Sequence, residues 1–320
     1  MGPTRFRELG RFLLLDSRAK KLLSVADDVL GHSLFDAFRQ SEDAYDPAAQ
    51  VAFMVACTAL AERAREELGE PVVCTGASFG EKPVVGFSGA LDFPDTVRMT
   101  AGLARCTAEY FAHEHRDVVT QSFVRAPAGP LAELFADMDA RGAWHEVACR
   151  LDEGLQMVSV HEDGLERFQK ELRAIGALPL YVMRPPMHSS RFTGLRELAA
   201  REVLDALPLR DPKLPVLADQ DGAELTTAAG LRQMLLDHFV RPVDWPATLD
   251  ALHARGVERL VVAGPDALFG RVESATSRFE VVPVTPDHRP GPRPAAAGPA
   301  AARPVTDQAA ARPASAAAGV

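Results

Sequence analysis

No stretch of this 320-residue chain approaches the ~20 consecutive apolar residues that a membrane-crossing helix requires. The N-terminus offers only the short run Phe12-Leu13-Leu14-Leu15. The chain is therefore expected in the cytoplasm, without a membrane partner. Cysteine is scarce: Cys57, Cys74, Cys106 and Cys149 lie scattered, with no C-x-x-C pair among them. Neither a disulfide nor a zinc site is expected from such spacing, and each thiol reads as an isolated buried side chain. Positive charge is in deficit as well. A formal net charge of -9 argues against broad nucleic-acid binding, which needs clustered cations for the phosphates. The densest basic stretch, Arg5, Arg7, Arg11, Arg18, Lys20 and Lys21, reads as a solvated helix face.

What is present is ordinary globular composition, 47% hydrophobic and 25% charged, enough for one large core or two linked ones. A single catalytic chain, a monomer, is the default expectation. From about Asp287 to Val320 the composition collapses to Ala, Pro, Gly and Arg. Such a segment cannot bury enough apolar surface to offset chain entropy, so residues 287–320 read as a disordered tail.

Ahead of the tail, strand-like and helix-like stretches alternate, the pattern of an α/β fold. Pro47 to Leu68 reads as a largely buried helix, and Val72-Val73-Cys74 as a short buried strand behind Glu70-Pro71. Arg259 to Ala263 is another short strand, expected to share a parallel sheet with the first. The middle has a different rhythm: strand Gln121–Arg125, helix Pro130–Arg141, strands His145–Leu151 and Leu155–His161, helix Gly164–Ile175 and strand Leu180–Arg184. This β-α-β-β-α-β order predicts a small ferredoxin-like unit inserted into a larger α/β domain.

Between the first strand and a helix-compatible run lies Gly76-Ala77-Ser78-Phe79-Gly80, a G-x-S-x-G element. A sharp strand-to-helix turn lifts the serine into a strained, exposed position, and the flanking glycines are expected to avoid Cβ clashes there. The N–H of Phe79, directly after the serine, is then aimed to stabilise an oxyanion. A glycine-rich turn with an incidental serine is the competing reading.

A serine hydroxyl needs a base to take its proton. His188 follows a strand in Arg184-Pro185-Pro186-Met187-His188-Ser189, where two prolines hold a rigid approach; an incidental loop histidine fits the same residues. A general α/β-hydrolase places its histidine near the C-terminus, but His253 falls on a predicted helix and His288 at the start of the tail. His113-Glu114-His115 lacks the i, i+4 histidine spacing of a zinc-binding helix and reads as a solvated helix end, so no metal is expected.

Together these elements resemble one family, the malonyl-CoA:acyl carrier protein transacylases and the discrete, trans-acting acyltransferases of polyketide synthases. Gly76-Ala77-Ser78-Phe79-Gly80-Glu81 is similar to G-H-S-L-G-E, Gly89-Ala90-Leu91 to G-A-L, and Pro186-Met187-His188-Ser189 to P-F-H-S. Arg241-Pro242-Val243-Asp244-Trp245 is similar to x-P-V-x-W, and Ala263-Gly264-Pro265 to E-G-P. The resemblance runs from around Gln50 to about Val272 and implies an α/β-hydrolase-like subdomain over residues 1–114 and 187–286, with a ferredoxin-like subdomain over 115–186. It implies a Ser78–His188 dyad whose imidazole is oriented by the main-chain carbonyl of Arg241. Gln50, Ala77, Leu103 and Met187 are implied as pocket residues. No cofactor is implied; coenzyme A and phosphopantetheine thioesters are substrates, and an acyl carrier protein is the partner.

Three departures shape the expected chemistry. Members that use malonyl carry an arginine where Leu103 stands, with Arg105 two residues on and so on another helix face. Ala77 replaces the histidine before the nucleophile. Both changes predict an acyl group without a carboxylate, with malonyl transfer as the alternative and hydrolysis of acyl carrier proteins as a further enzyme reading. A carrier-binding scaffold without activity is disfavoured because Ser78 and His188 are both present. Members also open with an apolar strand and F-P-G-Q-G, whose Q lends an N–H to the oxyanion hole; here Met1 is the expected counterpart, with a true start upstream.

Overall fold

The computed structural model describes residues 5–41, 45–265 and 268–287. Met1, His288 and the predicted tail after Asp287 lie outside the described residues. Three short helices come first: α1 (Phe6–Leu15), α2 (Ser17–Leu30) and α3 (Leu34–Gln40). Asp16 and Ser33 cap α2 and α3 through their side-chain oxygens, satisfying N–H groups that a helix start leaves unpaired. The apolar stripes of all three, including Leu9, Leu13, Leu34 and Phe38, close on α4 (Pro47–Leu68). That helix is buried along most of its length, as its apolar character on every side requires.

Next come β1 (Cys74–Thr75), α5 (Glu81–Phe87) and α6 (Phe93–His113). The inserted unit follows: β2 (Val118–Val124), α7 (Ala128–Ala140), β3 (His145–Asp152), β4 (Leu155–His161), α8 (Leu165–Ala174) and β5 (Leu178–Met183). Its strands lie in the order β5-β2-β4-β3, every neighbouring pair antiparallel. Phe123, Leu131, Leu134, Val158, Phe168 and Leu172 join the two helices to this sheet in one core. The expected ferredoxin-like arrangement is what these contacts build.

The chain continues with α9 (Thr193–Glu202), β6 (Val216–Leu217), β7 (Glu224–Leu225), α10 (Ala228–Val240), β8 (Val243–Asp244) and α11 (Trp245–Ala254). It closes with β9 (Arg259–Ala263), α12 (Leu268–Arg271), α13 (Glu273–Thr276) and β10 (Glu280–Val284). Strand β8 pairs in parallel with β3, so the insert's sheet gains a fifth strand from the surrounding fold and is anchored to it.

One expectation needs correcting. Strand β1 pairs with β6, and β9 pairs with β10, both in parallel. Among the described residues β1 and β9 do not pair with each other. An apolar groove of about 510 Å³ runs between them instead, lined by Val72, Cys74 and Gly76 on one side and Leu260, Val262 and Gly264 on the other. Apolar pattern reveals that a segment is a strand but not which strand lies beside it.

Candidate active site

Ser78 opens a single 3-10 turn, Ser78–Gly80, between β1 and α5. Its φ of 54° lies in the left-handed region, a conformation a non-glycine residue holds only when its surroundings enforce it. Part of that enforcement is steric: a Cβ on Gly76 would run into the backbone of Gly80. Gly80 itself has a right-handed backbone and open space where its Cβ would be, so the clash-avoiding role predicted for both glycines belongs to Gly76 alone. The buried carboxyl of Asp219 accepts the Ser78 N–H at 2.6 Å. The turn's own hydrogen bonds run from Gly80 to Ala77 and from Glu81 to Ser78 and do not consume the Phe79 N–H.

Across the inserted unit, His188 returns to this turn. Its Nε2 lies 2.8 Å from Ser78 Oγ, although 110 residues separate the two. Its own φ is 61°, and the next residue is clamped twice: Ser189 N–H donates to Phe239 O at 3.1 Å, and its hydroxyl donates to Glu146. Burial holds the His188 imidazole well below the usual 6.5, helped by His238 and Lys82. A neutral ring is the form that can accept a proton. The main-chain carbonyls of His238 and Arg241 partly offset this lowering, His238 the more strongly, while Nδ1 itself makes no hydrogen bond of ordinary geometry. The Arg241 carbonyl, expected to orient the ring, lies near it without a hydrogen bond to Nδ1. The Arg241 guanidinium is turned away to Asp221 and Asp237, at 2.8 and 3.2 Å.

Sequence reasoning missed a buried polar cluster beside this pair. Glu81, Lys82, Asp219, Gln220 and His238 are all buried. Gln220 Nε2 donates to Glu81 Oε1 at 2.7 Å, and Lys82 Nζ lies 3.4 Å from His238 Nε2. Burial pushes the Glu81 carboxyl up to about 7 and brings the Lys82 ammonium down to about 8. Asp219 is raised well above the carboxylate range by burial and by Glu81. Two neighbouring buried carboxyls do not readily both ionise, so the pair retains at least one proton. Glu81 and Lys82 look like the polar start of a surface helix in the sequence; nothing local marks them as buried.

The remaining predicted pocket residues divide. Gln50 is buried in α4 and donates its side-chain amide to Tyr45 O at 2.8 Å, and the Tyr45 ring packs on Phe79. Leu103 and Met187 share the main core cluster. Ala77 is half-buried against a different cluster, around β9 and α11. Arg105 is exposed. His113 ends α6, and His253 sits in the last turn of α11 against Phe279. Among the described residues no group of three or more His, Cys, Asp or Glu side chains could hold a metal ion, and no helix is long and apolar enough to cross a membrane.

With a serine at a strained elbow and a neutral imidazole on its hydroxyl, comparison with known proteins becomes decisive. Residues 122–183 match the family model described as the VinK acyltransferase small domain. The malonyl CoA-acyl carrier protein transacylase of Bacillus subtilis is 26% identical over 289 residues, covering 83% of this chain and 85% of that protein. The chain is an acyltransferase related to the malonyl-CoA:acyl carrier protein transacylases. The human mitochondrial transacylase is 23% identical, covering 82% of this chain and 72% of its own length. The fold agrees with solved transacylases. An acyl carrier protein S-malonyltransferase from Vibrio cholerae superimposes with a TM-score of 0.74 at 22% identity, over 87% of this chain and 92% of that one. The malonyl-transacylase solved in complex with its type II PKS acyl-carrier protein gives 0.76 at 21% identity, over 87% and 91%.

Proposed function

We propose that this acyltransferase moves an acyl group from a coenzyme A or carrier-protein thioester, through an ester on Ser78, to the phosphopantetheine thiol of an acyl carrier protein. The observation that carries the reading is the 2.8 Å approach of His188 Nε2 to Ser78 Oγ at a backbone held in the left-handed region. His188 takes the serine proton as Oγ attacks the thioester carbonyl, and the Phe79 N–H meets the developing oxyanion. The tetrahedral intermediate collapses by breaking the C–S bond, and the imidazolium returns its proton to the departing thiolate. The carrier-protein thiol then gives its proton to His188, attacks the acyl-serine, and the proton ends on Ser78.

For the acyl group, the relatives favour malonyl: the matched proteins of Bacillus subtilis and human mitochondria are both named as malonyl transacylases. In this chain the malonyl carboxylate would have to be met by a group other than residue 103. The second reading, an uncharged acyl group, draws support from Leu103, which is 2% exposed in an apolar cluster, and from Arg105, which is exposed. Intact-mass spectrometry after incubation with malonyl-CoA, acetyl-CoA and a longer acyl-CoA tests both. A malonyl mass on the wild type, absent from Ser78→Ala and discharged by holo carrier protein, is the expected result. Preferential loading of an uncharged group would select the second reading, and no adduct from any donor would defeat both.

A further inference from the structure

A buried ammonium stands behind the dyad. Lys82, near the start of α5, is 4% exposed, and lysine is seldom so deep. Its Nζ lies 4.8 Å from the centre of the Phe79 ring and 3.4 Å from His238 Nε2. The carboxyls of Glu81 and Asp219 offset only part of the cost of burying it, since its value still falls to about 8.

The ring that Lys82 touches is the ring that touches His188. The two imidazoles meet edge to face with centroids 4.9 Å apart. On its far side, His238 Nδ1 lies 2.9 Å from Glu81 Oε2. That pair makes no hydrogen bond of ordinary geometry, and neither atom has another partner. The His238 ring is packed between the Lys82 ammonium and the Glu81 carboxyl.

Resting on the Ser78–His188 reading above, we propose that Lys82 is a positioning residue for acyl transfer: acting with the His238 ring, it keeps His188 in its proton-accepting form under acidic conditions. A proton on His188 would put a second cation near a buried ammonium, where little water screens the repulsion. The other charged or titratable groups facing this cluster are Glu81 from α5, Asp219 from the segment after β6, and Asp237 and His238 from α10. Glu81 and Asp219 are both raised by burial and so are protonated in acid, and Asp237 is engaged by the Arg241 guanidinium. Of these, Lys82 and His238 are the side chains that lower His188; with the His238 ring neutral, Lys82 carries the standing positive charge.

The test is the pH dependence of fluorophosphonate labelling at Ser78 in the full chain, for wild type, Lys82→Met and Lys82→Arg. Wild-type labelling is expected to persist below the ordinary imidazole value of about 6.5. The acid limb of Lys82→Met should move up by about one pH unit, while Lys82→Arg, which keeps the charge, stays near wild type. A purely structural role would slow labelling at every pH and leave the limb in place, and that outcome overturns the proposal. Should Lys82→Met fail to fold, histidine NMR titration of the wild type and of Lys82→Gln decides, with the His188 signal assigned by its loss in His188→Gln. A His188 that titrates at the ordinary value in the wild type, or equally far below it in both proteins, overturns the proposal; one that titrates higher in Lys82→Gln than in the wild type supports it. Labelling of Ser78→Ala as fast as wild type would instead defeat the dyad reading itself, whereas Ser78-dependent labelling with an unmoved limb defeats the role of Lys82 alone.

Discussion

Ser189 donates its hydroxyl to Glu146, and the same carboxylate accepts the Ser190 N–H at 2.9 Å. Glu146 belongs to β3 of the inserted unit and Ser189 directly follows the imidazole, so a strand of the insert helps to set where His188 sits. Glu146→Ala is expected to slow acylation of Ser78 by about 10²-fold, the cost of a misplaced base, with a modest loss of melting temperature. Single-turnover acylation followed by mass spectrometry measures it. An unchanged rate would show that the clamp does not position the ring.

The two glycines of the elbow should behave oppositely. Gly76→Ala forces a methyl group into the Gly80 backbone and is expected to destabilise the fold by about 3 kcal/mol or prevent folding. Gly80→Ala meets open space on a right-handed backbone, so its stability should stay level or rise by about 0.5 kcal/mol. Urea denaturation of the pair checks the contrast.

The buried carboxyl of Glu81 gives stability a pH dependence of known sign. Its folded value is about 7 against 4.5, so the folded chain keeps a proton that the unfolded chain releases. That contribution is complete below about 4.5 and is lost as pH rises toward 7. Glu81→Gln removes the effect. Its stability relative to wild type should therefore improve across this window by roughly 3 kcal/mol, read from urea denaturation at a series of pH values. A flat difference would show that Glu81 releases its proton alike in the folded and unfolded chain.

Leu103 and Arg105 separate packing from recognition. Leu103 is buried in the main core, and Leu103→Ala should cost about 3 kcal/mol. The exposed Arg105 should be dispensable for loading: Arg105→Ala is expected to leave malonyl-CoA acylation of Ser78 within about twofold of wild type, the range of a surface change. A large rise in KM for malonyl-CoA alone would return the carboxylate to Arg105.

Much of the architecture is legible because it rests on local rules. Helix α4 and strand β9 begin and end where the apolar pattern and the flanking Gly and Pro place them, and the β-α-β-β-α-β order of the insert follows from alternating periods. The two-residue strands β6, β7 and β8 are too short to leave a pattern. Val72, read as part of a buried strand, is 69% exposed, because an apolar run does not reveal whether anything covers it.

By itself the sequence determined the elbow: a glycine two residues ahead of Ser78, between a strand and a helix, is a requirement met within five residues. It also determined that a proline-stiffened histidine follows the insert's last strand. Only the tertiary structure decided what surrounds them. Gln220 meets Glu81 across 139 residues of chain, and His238 meets Lys82 across 156. Burial, which sets the charge of these groups, depends on every element packed around them, and no local pattern of residues records it.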